Sequence, residues 1–341
     1  MSHYLNWREI DGYNARINEI LTTRGYGKTY GMDKKIFTYI DRNPGRKFMY
    51  IVRRPTDIDD ILNSGTTPFA NYLTDEPRDV IMNRKGFWYA DEEGKPGRHI
   101  GYFFPLSKAK RLKKLSYNDV DIILFDEFLI EENDPENYLE NEPEYFMSLM
   151  DTAFRNRNNV RAYLLGNATV FYNPYNLYWG IEKPWGKTQK LYLDGQILLY
   201  MKAPEDFIEF RKETAMGKLI SSVGGKYAEM ALYNRFQGEQ QGFIEKHPKE
   251  AAYFYTIYTP QAIFGIWGEG RKIYVSFSVD EGNPNKYAIN MFQPPAGAYL
   301  IGKRITRTPI ETILTLYRHG MVWFESMKVK ELFRYVLLEY L

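Results

Sequence analysis

Apolar residues along this chain fall alternately into short unbroken runs and into helical stripes, a pattern that predicts an α/β protein. Residues 17–21 form a partly apolar run, and residues 47–52, 120–125, 162–165 and 197–201 form further ones. Runs this short, without polar alternation, read as strands covered on both faces, as in a parallel sheet. Between the first two runs, Met32, Ile36, Phe37 and Ile40 recur on one side of a helix, and Asp41-Arg42-Asn43-Pro44-Gly45 ends it. Strand, loop, helix, strand is a right-handed βαβ unit and implies a mostly parallel sheet. A second helix opens at Pro143 and repeats Phe146, Leu149, Met150, Ala153 and Phe154 at helical spacing. Residues 86–104 hold two aromatic segments around the turn residues 91–97, which predicts an antiparallel hairpin inserted in the parallel plan.

The pattern changes in the second half. Residues 205–220 have helical periodicity between loops rich in Lys, Gly and Pro and read as a connecting segment. From about Phe243, short strands are predicted at 253–259, 263–267 and 273–279, then helical stretches at 309–317 and 328–338. The expected organisation is a first α/β domain over 1–202, a helical linker over 203–242 and a smaller mixed α/β domain over 243–341. A length of 341 residues agrees with two cores rather than one. No internal repeat and no low-complexity segment interrupts this plan.

Composition narrows the chemistry. The chain has no cysteine, which removes disulfides, thiolate zinc sites and cysteine nucleophiles and fits a reducing compartment. Its four histidines (His3, His99, His247, His319) lack ligand spacing. The first 13 residues are polar, so no signal peptide is expected. No apolar run approaches the roughly 20 residues that span a bilayer, and a soluble protein without a membrane partner is expected. A net charge of +2 leaves any nucleic-acid contact to local clusters.

Two motifs carry a specific chemistry. Arg24-Gly25-Tyr26-Gly27-Lys28-Thr29 sits between a strand and a helix, as a P-loop does, although Thr22 stands where that pattern has its first glycine. In such a turn the backbone N–H groups of Gly25, Tyr26 and Gly27 wrap phosphates, Lys28 neutralises them, and the Thr29 hydroxyl ligates Mg²⁺. Independently, the run at 120–125 ends in Asp126-Glu127, the Walker B arrangement. Asp126 holds the same Mg²⁺, and Glu127 orients and deprotonates the attacking water. ATP and Mg²⁺ are therefore the expected ligands, and hydrolysis is favoured over transfer to a bound hydroxyl.

Weaker signals surround these. Asn167, closing the next strand, reads either as a sensor of the γ-phosphate or as a turn residue. Arg155, Arg157 and Arg161 crowd one region, and Arg53 and Arg54 follow another strand. Any of them reads as an arginine finger for a neighbouring subunit's nucleotide, or as a cation complementing a helix dipole or solvating the surface. Lys108, Lys110, Arg111, Lys113 and Lys114 place five cations in seven residues, either a DNA phosphate contact or a solvated face. In the second domain the predicted strands carry no recurring acidic pair, so a two-metal nuclease is not expected.

These residues together resemble a known family. Phe125-Asp126-Glu127-Phe128, Asn141-Glu142, the segment 149–157, Gly166-Asn167-Ala168 and Asn173-Pro174-Tyr175 are similar to the genome-packaging ATPases of phi29-type podophages. The P-loop segment, Val52-Arg53-Arg54 and Phe243-Ile244-Glu245-Lys246 extend the likeness, which is dense from about 120 to 175 and thin after 280. The resemblance implies a ring ATPase, usually pentameric, that docks on the portal of a procapsid in the host cytoplasm and pumps double-stranded DNA inward, some members also docking on a structural RNA. The implied fold is an ATPase domain of the additional-strand, catalytic-glutamate type, a small helical linker and an RNase H-like domain without nuclease residues. It also places the trans-acting arginine on Arg155. The competing readings are a P-loop kinase, a nuclease-competent large terminase and a non-catalytic docking protein.

Overall fold

The computed structural model describes residues 4–111, 117–130, 137–155, 157–167, 171–184, 187–202, 205–225, 228, 243–289, 291, 293–301 and 308–337. Two compact units emerge: residues 1–171 with 181–237, and residues 172–180 with 238–341.

The first unit is built on a nine-stranded sheet. In chain order its elements are α1 (Trp7–Gly12), β1 (Ile17–Thr22), α2 (Lys28–Arg42), β2 (Lys47–Val52), α3 (Pro55–Asn63), α4 (Ala70–Asp75), β3 (Val80–Asn83), β4 (Gly86–Ala90), β5 (Pro96–Pro105), β6 (Val120–Asp126), α5 (Glu142–Phe154) and β7 (Arg161–Asn167). After α6 (Pro174–Tyr178), which belongs to the second unit, come β8 (Gln189–Tyr192), β9 (Ile197–Tyr200), α7 (Glu205–Glu213) and α8 (Ala215–Val223). The strand order is β3-β4-β5-β2-β6-β7-β1-β9-β8. All pairings from β5 through β9 are parallel, and antiparallel strands finish both edges. This is the mostly parallel sheet that the unbroken apolar runs predict.

The βαβ unit formed by β1, α2 and β2 spans a gap: β7 and β6 lie between its two strands. The Walker B strand β6 is consequently not the neighbour of β1, and β7 with Asn167 at its end is the strand between them. All six residues of β1 are buried, including the polar Asn18, whose side-chain amide donates to the Ala15 and Ala162 carbonyls at 3.3 and 3.2 Å. Such pairing is what makes a polar residue tolerable in a central strand. Ile36, Phe37 and Ile40 of α2 join Phe48, Phe69 and Phe87 in the core, with Phe37 stacked on Tyr72 at 5.4 Å. The predicted hairpin is present as β4 and β5 and gains β3 on its outer side.

The second unit holds β10 (Ala252–Tyr258), β11 (Ile263–Glu269), β12 (Lys272–Ser276), β13 (Lys286–Ile289), β14 (Tyr299–Ile301), α9 (Pro309–Arg318), β15 (Val322–Phe324) and α10 (Met327–Leu337). Its six-stranded sheet runs β14-β13-β10-β11-β12-β15. The antiparallel meander β10–β11–β12 is followed by β13 and β14, added in parallel on the other side of β10. That is the RNase H-like arrangement, with β15 added beside β12. Ile313 and Leu314 of α9 and Val329, Leu332 and Phe333 of α10 pack on Ile257, Phe264 and Val275.

Candidate nucleotide and metal site

Parallel strands send their carboxyl ends to one edge of a sheet, and ligands of open α/β folds gather there. β1, β6 and β7 deliver Thr22, Asp126 and Asn167 to that edge, with Thr22 opposite Asn167 in register. Gly25 and Gly27 take φ of +80° and +83°, a backbone conformation that costs a side-chain-bearing residue energy, and the loop turns into α2 there. Thr22 is not among the residues with positive φ, so the missing first glycine imposes no strain. Gly27 caps α2 without a side-chain hydrogen bond, which leaves the first-turn N–H groups open to an anion.

Lys28 is 8% exposed and its ammonium donates to the Thr22 and Thr23 carbonyls at 3.1 and 3.0 Å and to Asn167 Oδ1 at 3.3 Å. Burial lowers its pKa to about 8, Arg24 and Arg211 act in the same direction, and Asp126 and Glu127 oppose them. The Thr29 hydroxyl donates to Asp126 Oδ2 at 3.0 Å. Burial raises the Asp126 pKa to about 6 against the Thr29 hydrogen bond, and the Glu127 charge adds to the rise. A hydroxyl and a carboxylate converging at this distance are the hard oxygen donors that Mg²⁺ selects, and a carboxylate whose charge is costly is one that a cation relieves. The residues fit a magnesium ion.

Glu127 has φ +51°, which breaks β6 immediately after Asp126 and turns an exposed side chain into the adjoining cleft. A non-glycine residue in this region costs about 1 kcal/mol, and such outliers concentrate at functional sites. The cleft has a volume of about 420 Å³ and is lined by Arg24, Tyr50, Arg53, Asp126, Glu127 and Asn167 among others. Sequence reasoning did not single out Asp33, one turn beyond Thr29 on α2. It is 1% exposed, and burial followed by the Asp126 charge raises its pKa to about 8. Burial and the neighbouring carboxylate thus both disfavour a charge on Asp33. Its i+4 spacing from Thr29 was the one signal in the sequence.

The arginines separate sharply. Arg53 is buried, donating through Nε to Glu142 Oε2 at 3.2 Å and through Nη2 to the Phe128 carbonyl, and Glu142 is 0% exposed. Arg54 donates to the Asn137 carbonyl at 2.6 Å. Arg157 donates to Asp121 Oδ1 at 2.8 Å and to the Val120 and Ala153 carbonyls at 2.6 and 2.7 Å. Arg161 donates to the Asn158 carbonyl and to Asn14 Oδ1. Arg155 alone among these five is exposed with no side-chain partner among the described residues, and its backbone has φ +43° at the end of α5. It lies at the amino end of β7, whereas the loop lies at the carboxyl end. Six residue steps separate those ends, about 20 Å at the rise of a strand.

In the basic run, Lys108, Lys110 and Arg111 are exposed, and Lys110 Nζ stands 4.7 Å over the Tyr145 ring. The run follows β5, and Ser107 N–H donates to the Arg53 carbonyl at 3.0 Å, which puts it on the carboxyl edge of the sheet. Lys113 and Lys114 lie outside the described residues. In the second unit, the six strands contain one carboxylate, the exposed Glu269 at the end of β11.

Comparison with known proteins finds relatives that span nearly the whole chain. The chain is 29% identical over 341 residues to the DNA packaging protein of Bacillus phage phi29, covering 98% of each. It is 28% identical over 320 residues to the DNA packaging protein of Bacillus phage B103, covering 93% of this chain and 95% of that one. A chain from the bacteriophage phi29 viral genome packaging motor assembly superimposes with a TM-score of 0.71 at 26% identity, covering 99% of both. A chain of the phi28 DNA packaging motor shares the fold at a TM-score of 0.65 and 17% identity. Residues 1–339 match the family described as Podovirus DNA encapsidation protein (Gp16), and the chain belongs to that family.

Proposed function

We propose that this protein is an ATP-driven translocase that packages double-stranded viral DNA into a procapsid. One observation carries the reading: Lys28, Thr29, Asp126, Glu127 and Asn167 converge on one sheet edge in a chain similar along its length to DNA packaging proteins. The open N–H groups of α2 and the Lys28 ammonium bind the β- and γ-phosphates of ATP. Thr29 and Asp126 would hold Mg²⁺, which would offset the charge of the phosphate oxygens. Glu127, exposed in the cleft, accepts the proton of the attacking water. Asn167, hydrogen-bonded to Lys28, senses loss of the γ-phosphate and passes the change into β7.

The same reading makes the protein a homo-oligomeric ring at the portal. Arg155 supports this because about 20 Å of strand separates it from its own loop, so only a neighbouring copy can present it to a nucleotide. The RNase H-like unit has no carboxylate cluster on its strands and serves docking rather than cleavage.

Measuring ATP hydrolysis with and without duplex DNA tests the function. DNA stimulation is expected in the unaltered protein. Glu127→Gln should retain ATP binding with turnover reduced at least 100-fold, and Lys28→Ala should lose binding. Phosphate transfer to a small acceptor, indifferent to DNA, would instead make the protein a kinase.

A further inference from the structure

α7 reads in the sequence as part of a connector, yet within the first unit it packs directly on the phosphate loop. Phe207 is buried with its ring centroid 4.7 Å from that of the loop residue Tyr26. Tyr4 lies 6.2 Å from Phe207 and 6.4 Å from Phe210. One turn further, Arg211 sits against Gly25 so closely that a Cβ there would stand 1.8 Å from Nη1 and 3.0 Å from Cζ. Gly25 thus serves two needs, a left-handed backbone and room for a guanidinium.

Arg211 has no structural employment that explains this position. Its Nε is buried without a hydrogen-bond partner, and no ion pair engages it among the described residues. A buried unpaired guanidinium nitrogen costs free energy until an acceptor arrives. With Arg24 and Lys28 it makes three cations around one loop, and a guanidinium presents paired donors that match phosphate oxygens. We propose that Arg211 is a ligand of the bound polyphosphate, reaching it across Gly25, and that α7 is therefore a nucleotide-responsive element. This rests on the reading of residues 23–29 as the phosphate loop. When nucleotide is bound, the phosphate draws Arg211 in, and the Phe207–Tyr26 contact carries the change along α7.

The test uses the full chain, a fluorescent ATP analogue and the corresponding ADP analogue. Arg211→Ala should raise the Kd for the ATP analogue about tenfold or more, and Arg211→Lys should recover part of the loss. A larger loss for ATP than for ADP would assign the contact to the γ-phosphate, and equal losses to the β-phosphate. Circular dichroism of both variants excludes unfolding as the cause, with Arg211→Gln as the replacement should Arg211→Ala not fold. In the unaltered protein, the ATP analogue should slow trypsin cleavage after Arg211 and Lys212. Undiminished affinity in Arg211→Ala alongside lost binding in Lys28→Ala overturns this proposal alone, as does an unchanged cleavage rate. Undiminished affinity in Lys28→Ala overturns the phosphate-loop reading beneath it.

Discussion

Asp121 shows how much of a residue's role depends on what folding brings to it. At the start of β6 it is 2% exposed and accepts from Tyr39 at 2.6 Å, from Arg157 at 2.8 Å and from Nε and Nη2 of Arg46. Burial acts to raise its pKa, but the hydrogen bonds from Arg46 and Tyr39 and the charges of Arg46 and Arg157 hold it below the ordinary value. A depressed carboxylate pKa contributes stability above the unfolded value of about 4, lost as pH falls through the folded one. Asp121→Asn should destabilise the first unit by on the order of 1–3 kcal/mol at pH 7, because it leaves two guanidinium groups without their counter-charge. The gap to the unaltered protein should begin to narrow below about pH 4 and close only as the pH falls through the lowered pKa of folded Asp121. Melting curves at both pH values measure this, and a constant gap would mean the charge contributes nothing.

Elements, rather than residues, decide which arginine is available. α5 starts beside Arg53 through Glu142 and ends beside the start of β6, where Arg157 is bound to backbone carbonyls of β6 and α5. Arg157→Ala should therefore lower the melting temperature, and Arg155→Ala should leave it unchanged while abolishing most DNA-stimulated ATPase, an effect of about 10³ or more for an arginine finger. Mixing Arg155→Ala with Glu127→Gln subunits should restore some turnover, since some interfaces then pair an intact arginine with an intact glutamate. Full-rate hydrolysis by Arg155→Ala alone would refute the assignment. The turn after β5 offers a second test at this scale. Neutralising Lys108, Lys110 and Arg111 together should weaken binding to every duplex alike and flatten the slope of log affinity against log salt by about 0.9 per phosphate contact removed. An unchanged slope would place the DNA contact elsewhere.

For the whole molecule, the described strands of the RNase H-like unit offer one exposed carboxylate, whereas a two-metal nuclease needs several around one site. The purified chain should leave plasmid DNA uncut in Mg²⁺ and in Mn²⁺. Metal-dependent cleavage that disappears in Asp280→Ala would restore a nuclease. The two sheets were legible to different degrees. β2 is an apolar run of the length expected, and the P-loop and Walker B motifs mark the ends of β1 and β6, because a strand buried on both faces and a phosphate-binding turn each demand particular residues in consecutive positions. β13, β14 and β15 are three or four residues long, too short to establish a period, and exist because neighbouring strands supply their hydrogen bonds. The helix read at 205–220 is two helices, since the Thr214 hydroxyl accepts from Gly217 N–H at 3.0 Å and caps a new start. Local sequence thus determined the strand-and-helix alternation, the phosphate loop, the acidic pair and the family, all of which are written in contiguous residues. Tertiary structure alone decided that two strands separate β1 from β2, that Arg157 is a structural cation while Arg155 is exposed, that Asp33 is buried, and that Arg211 lies on Gly25. Each of these depends on contacts between residues distant in the chain or on which face of an element meets the core, and no local pattern encodes either.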